Sequence, residues 1–293
     1  SGDLNSNFNS MGIRGIALKR ASDATAQAYG LTANNKLLNF ALNNPNAVME
    51  KTITGLLVDE KFIGIDYRLR TTTTNSGKLY GLTNKANLYT INTDTGMANL
   101  ITSLKPATGS SFTTLDGTSF AVDFNPTADR LRVISDSGQN LRINVDTGDT
   151  TKDGDINGIS EAKVTAAAYT NSFATPIAML ATELFDLDQT GKTLTKQNPP
   201  NAGTLNLIGN LGINLGIDNG FDIAGGDNGL ALATVAGETG PSVLYRVDLN
   251  SDTTITTPRA RLAISVDGTP NLAASTIGGN TTPQVIDLAI LLK

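Results

Sequence analysis

The sequence predicts an all-β protein, a single β-propeller of five or six blades with about four antiparallel strands in each. Three observations carry that expectation. The stretch Phe120 to Gly148, FAVDFNPTADRLRVISDSGQNLRINVDTG, alternates short apolar strands with Asn-Pro, Ser-Gly and Asp-Thr-Gly turns. Pieces of this unit recur along the chain. Leu37 to Phe40, Leu88 to Ile91, Leu141 to Asn144, Leu184 to Leu187 and Leu244 to Val247 read as five versions of one strand, the third of each set, at separations of 51, 53, 43 and 60 residues. Finally, no stretch shows a helical period. A large sandwich with chance internal similarity is the alternative.

Residues 1–11 are polar and rich in Gly, Asn and Ser, a flexible leader to a domain spanning 12–293. Ile13 to Leu18 is the first strand candidate, followed by Ala28 to Thr32, Lys36 to Leu42 and Glu50 to Leu56. The second set is Lys61 to Arg70, Lys78 to Thr83, Asn87 to Asn92 and Ala98 to Leu104. The third set is the opening stretch, with Thr151 to Glu161 where its fourth strand belongs. Val164 to Tyr169, Ala178 to Thr182, Glu183 to Asp188 and Leu205 to Asn210 form the fourth. The fifth comprises Gly220 to Gly225, Leu230 to Val235, Val243 to Leu249 and Arg259 to Val266, before a terminal strand within 284–292. Six first-strand candidates accompany five blade bodies. Two readings of the surplus strand stay open: a terminal strand closes the ring, or it is donated to a neighbouring subunit's open edge.

Composition narrows the function. The 293 residues contain no Cys and no His, so thiol and imidazole catalysis and thiolate metal sites are excluded. The net charge is −5 and basic runs are absent, which argues against a nucleic-acid partner. Only 17% of residues are charged, and Thr, Asn, Gly and Ala abound, as in many secreted bacterial β-proteins. The opening SGDLNSNFNS has neither a basic region nor an apolar core, so the numbering is expected to start at a processed terminus of an extracellular or cell-surface chain. Val285 to Leu292 is the longest apolar stretch and is too short to span a membrane.

Three groups of residues carry candidate chemistry. Asp66, Asp123, Asp222 and Asp287 hold matching places in first strands, with Gly15 and Ala168 at the corresponding places in the other two. First strands line a propeller's channel, so these carboxylates either converge there or bond backbone amides where blades meet. Asp153, Asp155 and Asn157, followed by Gly158, have the spacing of a Ca2+ loop; Val164 stands at position twelve, and Glu161 or Asp149 is the substitute acid. An ordinary acidic turn is the alternative. Arg130, Arg132 and Arg142 could meet across adjacent strands as an anion site, or pair with aspartates such as Asp129.

The strings NPTADRLRV (Asn125 to Val133), LRINVDTG (Leu141 to Gly148), AAAYTNSF (Ala166 to Phe173) and TKQNPPNAGTL (Thr195 to Leu205) together resemble a bacterial, propeller-like family catalogued as a domain of unknown function. The resemblance covers roughly Gly12 to Leu292. It implies a propeller fold in a frequently secreted protein and no established activity. The chain departs from the family pattern around Asp149 to Lys163, which is shorter and more acidic. The expected function is therefore non-enzymatic, structural or interactive, in the form of self-assembly into an extracellular filament or array by terminal-strand exchange. A monomeric propeller binding a carbohydrate or protein at the channel mouth is the alternative, and a carboxylate-dependent glycosidase or lyase the third reading.

Overall fold

The computed structural model describes residues 27–69, 77–173, 181–224, 228–236, 240–279 and 284–291. Five sheets follow one another in the chain, and in the last four the first strand in sequence is innermost. Blade 1 holds β1 (Gln27–Thr32), β2 (Lys36–Ala41) and β3 (Asn44–Thr52); blade 2 holds β4 (Phe62–Arg68), β5 (Lys78–Thr83), β6 (Asn87–Ile91) and β7 (Ala98–Ser103). A two-residue strand, β8 (Lys105–Pro106), then runs parallel to the outer edge of blade 3. That blade comprises β9 (Phe120–Asn125), β10 (Arg130–Ser135), β11 (Asn140–Ile143) and β12 (Asp149–Lys152). Blade 4 is β13 (Val164–Tyr169), β14 (Leu184–Asp188), β15 (Thr193–Gln197) and β16 (Leu205–Asn210). Blade 5 is β17 (Asn219–Ile223), β18 (Ala231–Ala236), β19 (Ser242–Val247) and β20 (Ala260–Leu262). A small hairpin, β21 (Ser265–Val266) with β22 (Thr269–Pro270), and the single turn α1 (Leu272–Ser275) lead towards β23 (Val285–Leu291), which pairs antiparallel with β1 and supplies the inner strand of blade 1.

The fold is a five-bladed propeller, and strand positions in blades 1, 3 and 4 differ from the sequence expectation. Leu184 to Leu187 lies in β14, the second strand of its blade rather than the third, and the third is β15, where the polar run TLTKQ hides the pattern. With Leu194 as the matching residue, the repeat tightens to separations of 51, 53, 53 and 50 residues. The fourth strand of blade 3 is Asp149–Lys152, ahead of Thr151 to Glu161; its residues are polar because β12 lies at the outside of the ring. In blade 1 the outer strand is Asn44–Thr52, so the candidate Glu50 to Leu56 starts too late. Ile13 to Leu18 lies outside the described residues, as does most of Ala178 to Thr182, of which Ala181 and Thr182 form no strand.

The core is five wedges between neighbouring blades, because strands buried on both faces must cover one another. Among the described residues, the wedge between blades 3 and 4 has seven fully buried apolar residues, against twelve to fifteen in each of the others. That junction accordingly relies on polar contacts. Close inner-strand packing shows at Gly64 of β4, where a Cβ would stand 2.2 Å from Val122 Cγ2 and 3.0 Å from Asp287 Oδ2. Gly64→Ala is expected to cost about 1–3 kcal/mol through overpacking, measured by urea unfolding. A neutral result would mean that the inner strands can spread.

Candidate functional site

Four of the five inner strands carry an aspartate at the same level. Each turns sideways and accepts a backbone N–H from the inner strand of the next blade: Asp287 from Ile65 (2.7 Å), Asp66 from Phe124 (2.7 Å), Asp123 from Tyr169 (2.9 Å) and Asp222 from Ile290 (2.5 Å). The other oxygens of Asp66 and Asp287 accept from the following residues, Tyr67 N–H at 2.6 Å and Leu288 N–H at 2.9 Å. These carboxylates thus clip blade to blade around the ring. Blade 4 has Ala168 at this level, and its junction with blade 5 is closed by apolar packing of Ala166, Ala168 and Phe185 on Phe221 and Ile223.

The same geometry gathers charge. Asp66, Asp123 and Asp222 each bring a carboxylate oxygen within 4.8 Å of the others. Burial, then the Asp222 charge, pushes Asp66 well above its ordinary value; burial and then Asp66 do the same to Asp123. Burial pushes Asp222 up to about 7 and Asp287 well up, against the backbone N–H groups that pull both down. Carboxylates this close share protons or hold a cation, and among the described residues this trio is the group that could hold one.

The three arginines lie elsewhere. Arg132 and Arg142 are direct partners across β10 and β11. Both reach Asp153: Arg132 Nη1 donates at 2.7 Å, Arg142 Nε at 2.7 Å and Arg142 Nη2 at 3.0 Å. Arg132, buried, also donates to Asn140 Oδ1 (2.8 Å), Asn201 Oδ1 (2.7 Å) and Tyr169 Oη (3.1 Å), spanning blades 3 and 4. Arg130 is apart from them and donates to the carbonyls of Ala128 and Asp129. Of the candidate Ca2+ ligands, Asp153 is held by arginines and Asp155 pairs with Lys152 at 3.1 Å. Asn157 donates to the carbonyls of Asp155 and Ala202 and accepts from Thr204. Glu161 is exposed beside a separate hollow with Lys163. The structure does not bring these four together.

Several buried polar groups escaped the sequence reading. Arg68 in β4 donates from Nη1 and Nη2 to Asp146 and from Nε and Nη2 to Asp129, at 2.7–2.9 Å, tying blade 2 to two turns of blade 3 and holding Asp146 below the usual carboxylate range. Glu60 accepts from Thr83, Asn87 and Tyr89. Asp186 in β14 is fully buried, and among the described residues neither carboxylate oxygen has a hydrogen-bond partner; the Thr195 hydroxyl donates to the Asp186 carbonyl instead. Burial pushes this acid well up, while the Arg132 charge and Thr195 pull the other way. Arg68 and Asp186 sit in strands whose hydrophobic pattern gives no hint of a polar junction; the ADRLRV and VDTG strings that hold Asp129 and Asp146 are the available signal.

The face on which the inner strands begin carries a hollow of about 390 Å³. The segment Gly212 to Asp218 forms one wall. Ser119 Oγ of blade 3 donates to Ile217 O at 2.9 Å and Asn219 Nδ2 to Gly216 O at 2.7 Å, so the segment is tied across the channel mouth. Leu215 and Ile217 give the hollow apolar sides, Gln189 and Gln284 line it, and Asp218 is half-buried within it. A smaller hollow of about 50 Å³ beside it shares Ile217 and Asp218 and reaches Ile63, Phe120 and Ile286 at the starts of three inner strands.

Comparison with curated proteins finds no match. Among solved structures, the chain is similar to a protein of unknown function from Bacteroides thetaiotaomicron, at 15% identity and a TM-score of 0.48, over 89% of this chain and 64% of that one. It is also similar to an auxiliary nutrient binding protein from the same organism, at 12% identity and a TM-score of 0.40, over 71% and 55%. The chain therefore spans less than two thirds of either protein. Residues 36–268, which hold blades 2–5 and two of the four strands of blade 1, match a single family model, and the chain belongs to the family described as domain of unknown function (DUF4394).

Proposed function

We propose that this protein is a non-enzymatic interaction module, exported from a bacterial cell, that receives a ligand at the channel mouth. One observation carries the reading. Buried polar side chains of the family-like strings are taken up at blade junctions, Asp129 and Asp146 by Arg68 and Asn201 by Arg132, whereas the mouth offers a hollow of about 390 Å³ with a carboxylate of its own. Glycan and protein arrays test it. Saturable binding that is abolished by Ile217→Arg, which fills the hollow, is the expected outcome; no binding on either array would sink the reading.

Self-assembly by strand exchange is the second reading. It is favoured by an inner-strand-like segment, Ile13 to Leu18, in a chain whose innermost position in blade 1 is already held by β23. Among the described residues, the outer strands β3, β7 and β16 each have one strand partner, make only isolated backbone bonds on the other edge, and expose Met49, Leu100 and Leu207. Residues 1–26, rather than β23, are thus the segment to remove. β23 is buried, and Asp287 within it clips blade 2, so its deletion would open the ring itself. Negative-stain microscopy should show filaments or arrays with the full chain and isolated discs without residues 1–26; discs in both end the proposal. A Ca2+ chelator should change neither image, since a Ca2+ loop would need Asp153 to leave Arg132 and Arg142.

A further inference from the structure

Within the reading of the mouth as a binding site, we infer that the hollow takes a protonated primary amine on an apolar stem, with the Asp218 carboxylate as its anchor. Asp218 is the acidic group lining this hollow, and among the described residues no donor or cation meets its carboxylate. Partial burial alone pushes its pKa up, with no basic neighbour to oppose it. A carboxylate removed from water without a donor is destabilised, and a ligand that supplies one recovers that free energy.

The rest of the lining selects the kind of donor. An ammonium group has three N–H donors, and the hollow offers three acceptor oxygens for them: the two of the Asp218 carboxylate and the amide oxygen of Gln189. Leu215 and Ile217 beside them suit methylene groups. None of the described residues lining the hollow is aromatic, so they give no stacking surface for an amphipathic planar ligand. A hard divalent cation needs six to eight oxygens, more than Asp218 and Gln189 provide. A free carboxylate ligand would meet Asp218 as a like charge.

The wall that carries Asp218 is held before any ligand arrives. Gly216 passes so close to blade 5 that a Cβ would stand 2.7 Å from Ala236 O. The tethers from Ser119 and Asn219 hold Ile217 and Gly216, and Ala236 N–H donates to Asp218 O at 3.4 Å. Asp218 stands four residues before Asp222, about 13 Å along the strand, so the anchor is separate from the channel trio.

Isothermal titration of the full chain with n-pentylamine, n-pentanol and pentanoate tests the inference at neutral pH. Saturable binding of the amine is expected, with no measurable binding of the neutral or anionic isostere. Asp218→Asn should weaken the amine by about tenfold or more, the loss of one charge-assisted hydrogen bond, without lowering the urea midpoint. No binding of n-pentylamine, equal binding of all three, or an amine affinity untouched by Asp218→Asn would each overturn it. The array experiment separates the two claims: array binding blocked by Ile217→Arg but indifferent to Asp218→Asn leaves the mouth a binding site and removes the amine anchor.

Discussion

From about pH 5 to about pH 8 this protein should lose stability, the reverse of the usual behaviour of carboxylate-rich proteins. The cause is the channel. An aspartate in the unfolded chain releases its proton near 3.8, whereas burial moves Asp222 in the folded ring to about 7. Between those values the folded state holds a proton that the unfolded state has given up. Its advantage is full below the unfolded value and is lost as pH rises through the folded one. At about 1.4 kcal/mol per unit, Asp222 alone accounts for about 3 kcal/mol of the decline above pH 5, nearly all of it below about pH 7. Asp66, Asp123 and Asp287 are raised in the same direction, and their mutual repulsion makes the decline steeper without being additive. Glu60, Asp136 and Asp146 are lowered by their hydrogen-bond donors, so their contribution is present above about pH 4 and disappears in stronger acid. The optimum is therefore mildly acidic. Urea midpoints across this range measure it, and Asp222→Asn, which cannot ionise and keeps an acceptor for Ile290 N–H, should flatten the decline. A level profile in the unmodified protein would mean that a cation, rather than protons, neutralises the trio.

How much of this was legible in the sequence depends on which side chains faced which solvent. The channel aspartates could be placed because each inner strand is buried on both faces, so one acidic residue in GID, AVD, GFD and VID stands out against an apolar background. Their double character, gathered and yet bonded to neighbouring amides, follows from the sideways turn of the side chains, which the two-residue period of a strand cannot reveal. Strand β15 was missed because it buries polar side chains, Thr195 and Gln197, beside its one large apolar residue, Leu194, so no apolar alternation marks it. The resemblance to a propeller family supplied the fold and left the roles of Arg132 and Asn201 unstated. These residues are 69 apart in sequence and meet only when blades 3 and 4 pack. The Gly212 to Asp218 wall was invisible for a related reason: its tether to Ser119 joins residues 98 apart.

Arg132→Met should be among the most damaging single substitutions in the chain, at a cost of about 3–5 kcal/mol. The junction of blades 3 and 4 has the smallest apolar wedge of the five, so the polar group at its centre carries a larger share of the contact. Arg132 is the donor for Asp153, Asn140, Asn201 and Tyr169 at once. Methionine fills much of the volume and returns none of those bonds, leaving buried acceptors unmet. Asp186, already without a hydrogen-bond partner among the described residues, would also lose the positive charge that steadies it. Arg132→Lys should rescue little, because a single ammonium cannot span acceptors that the guanidinium fork reaches on two blades. Arg142→Met is the control: its side chain is 36% exposed and shares Asp153 with Arg132, so about 1 kcal/mol or less is expected. Urea unfolding of the three variants decides it. A cost below about 1 kcal/mol for Arg132→Met would show that apolar contacts hold this junction without the arginine, since replacing a buried ion network by well-packed apolar groups can be neutral.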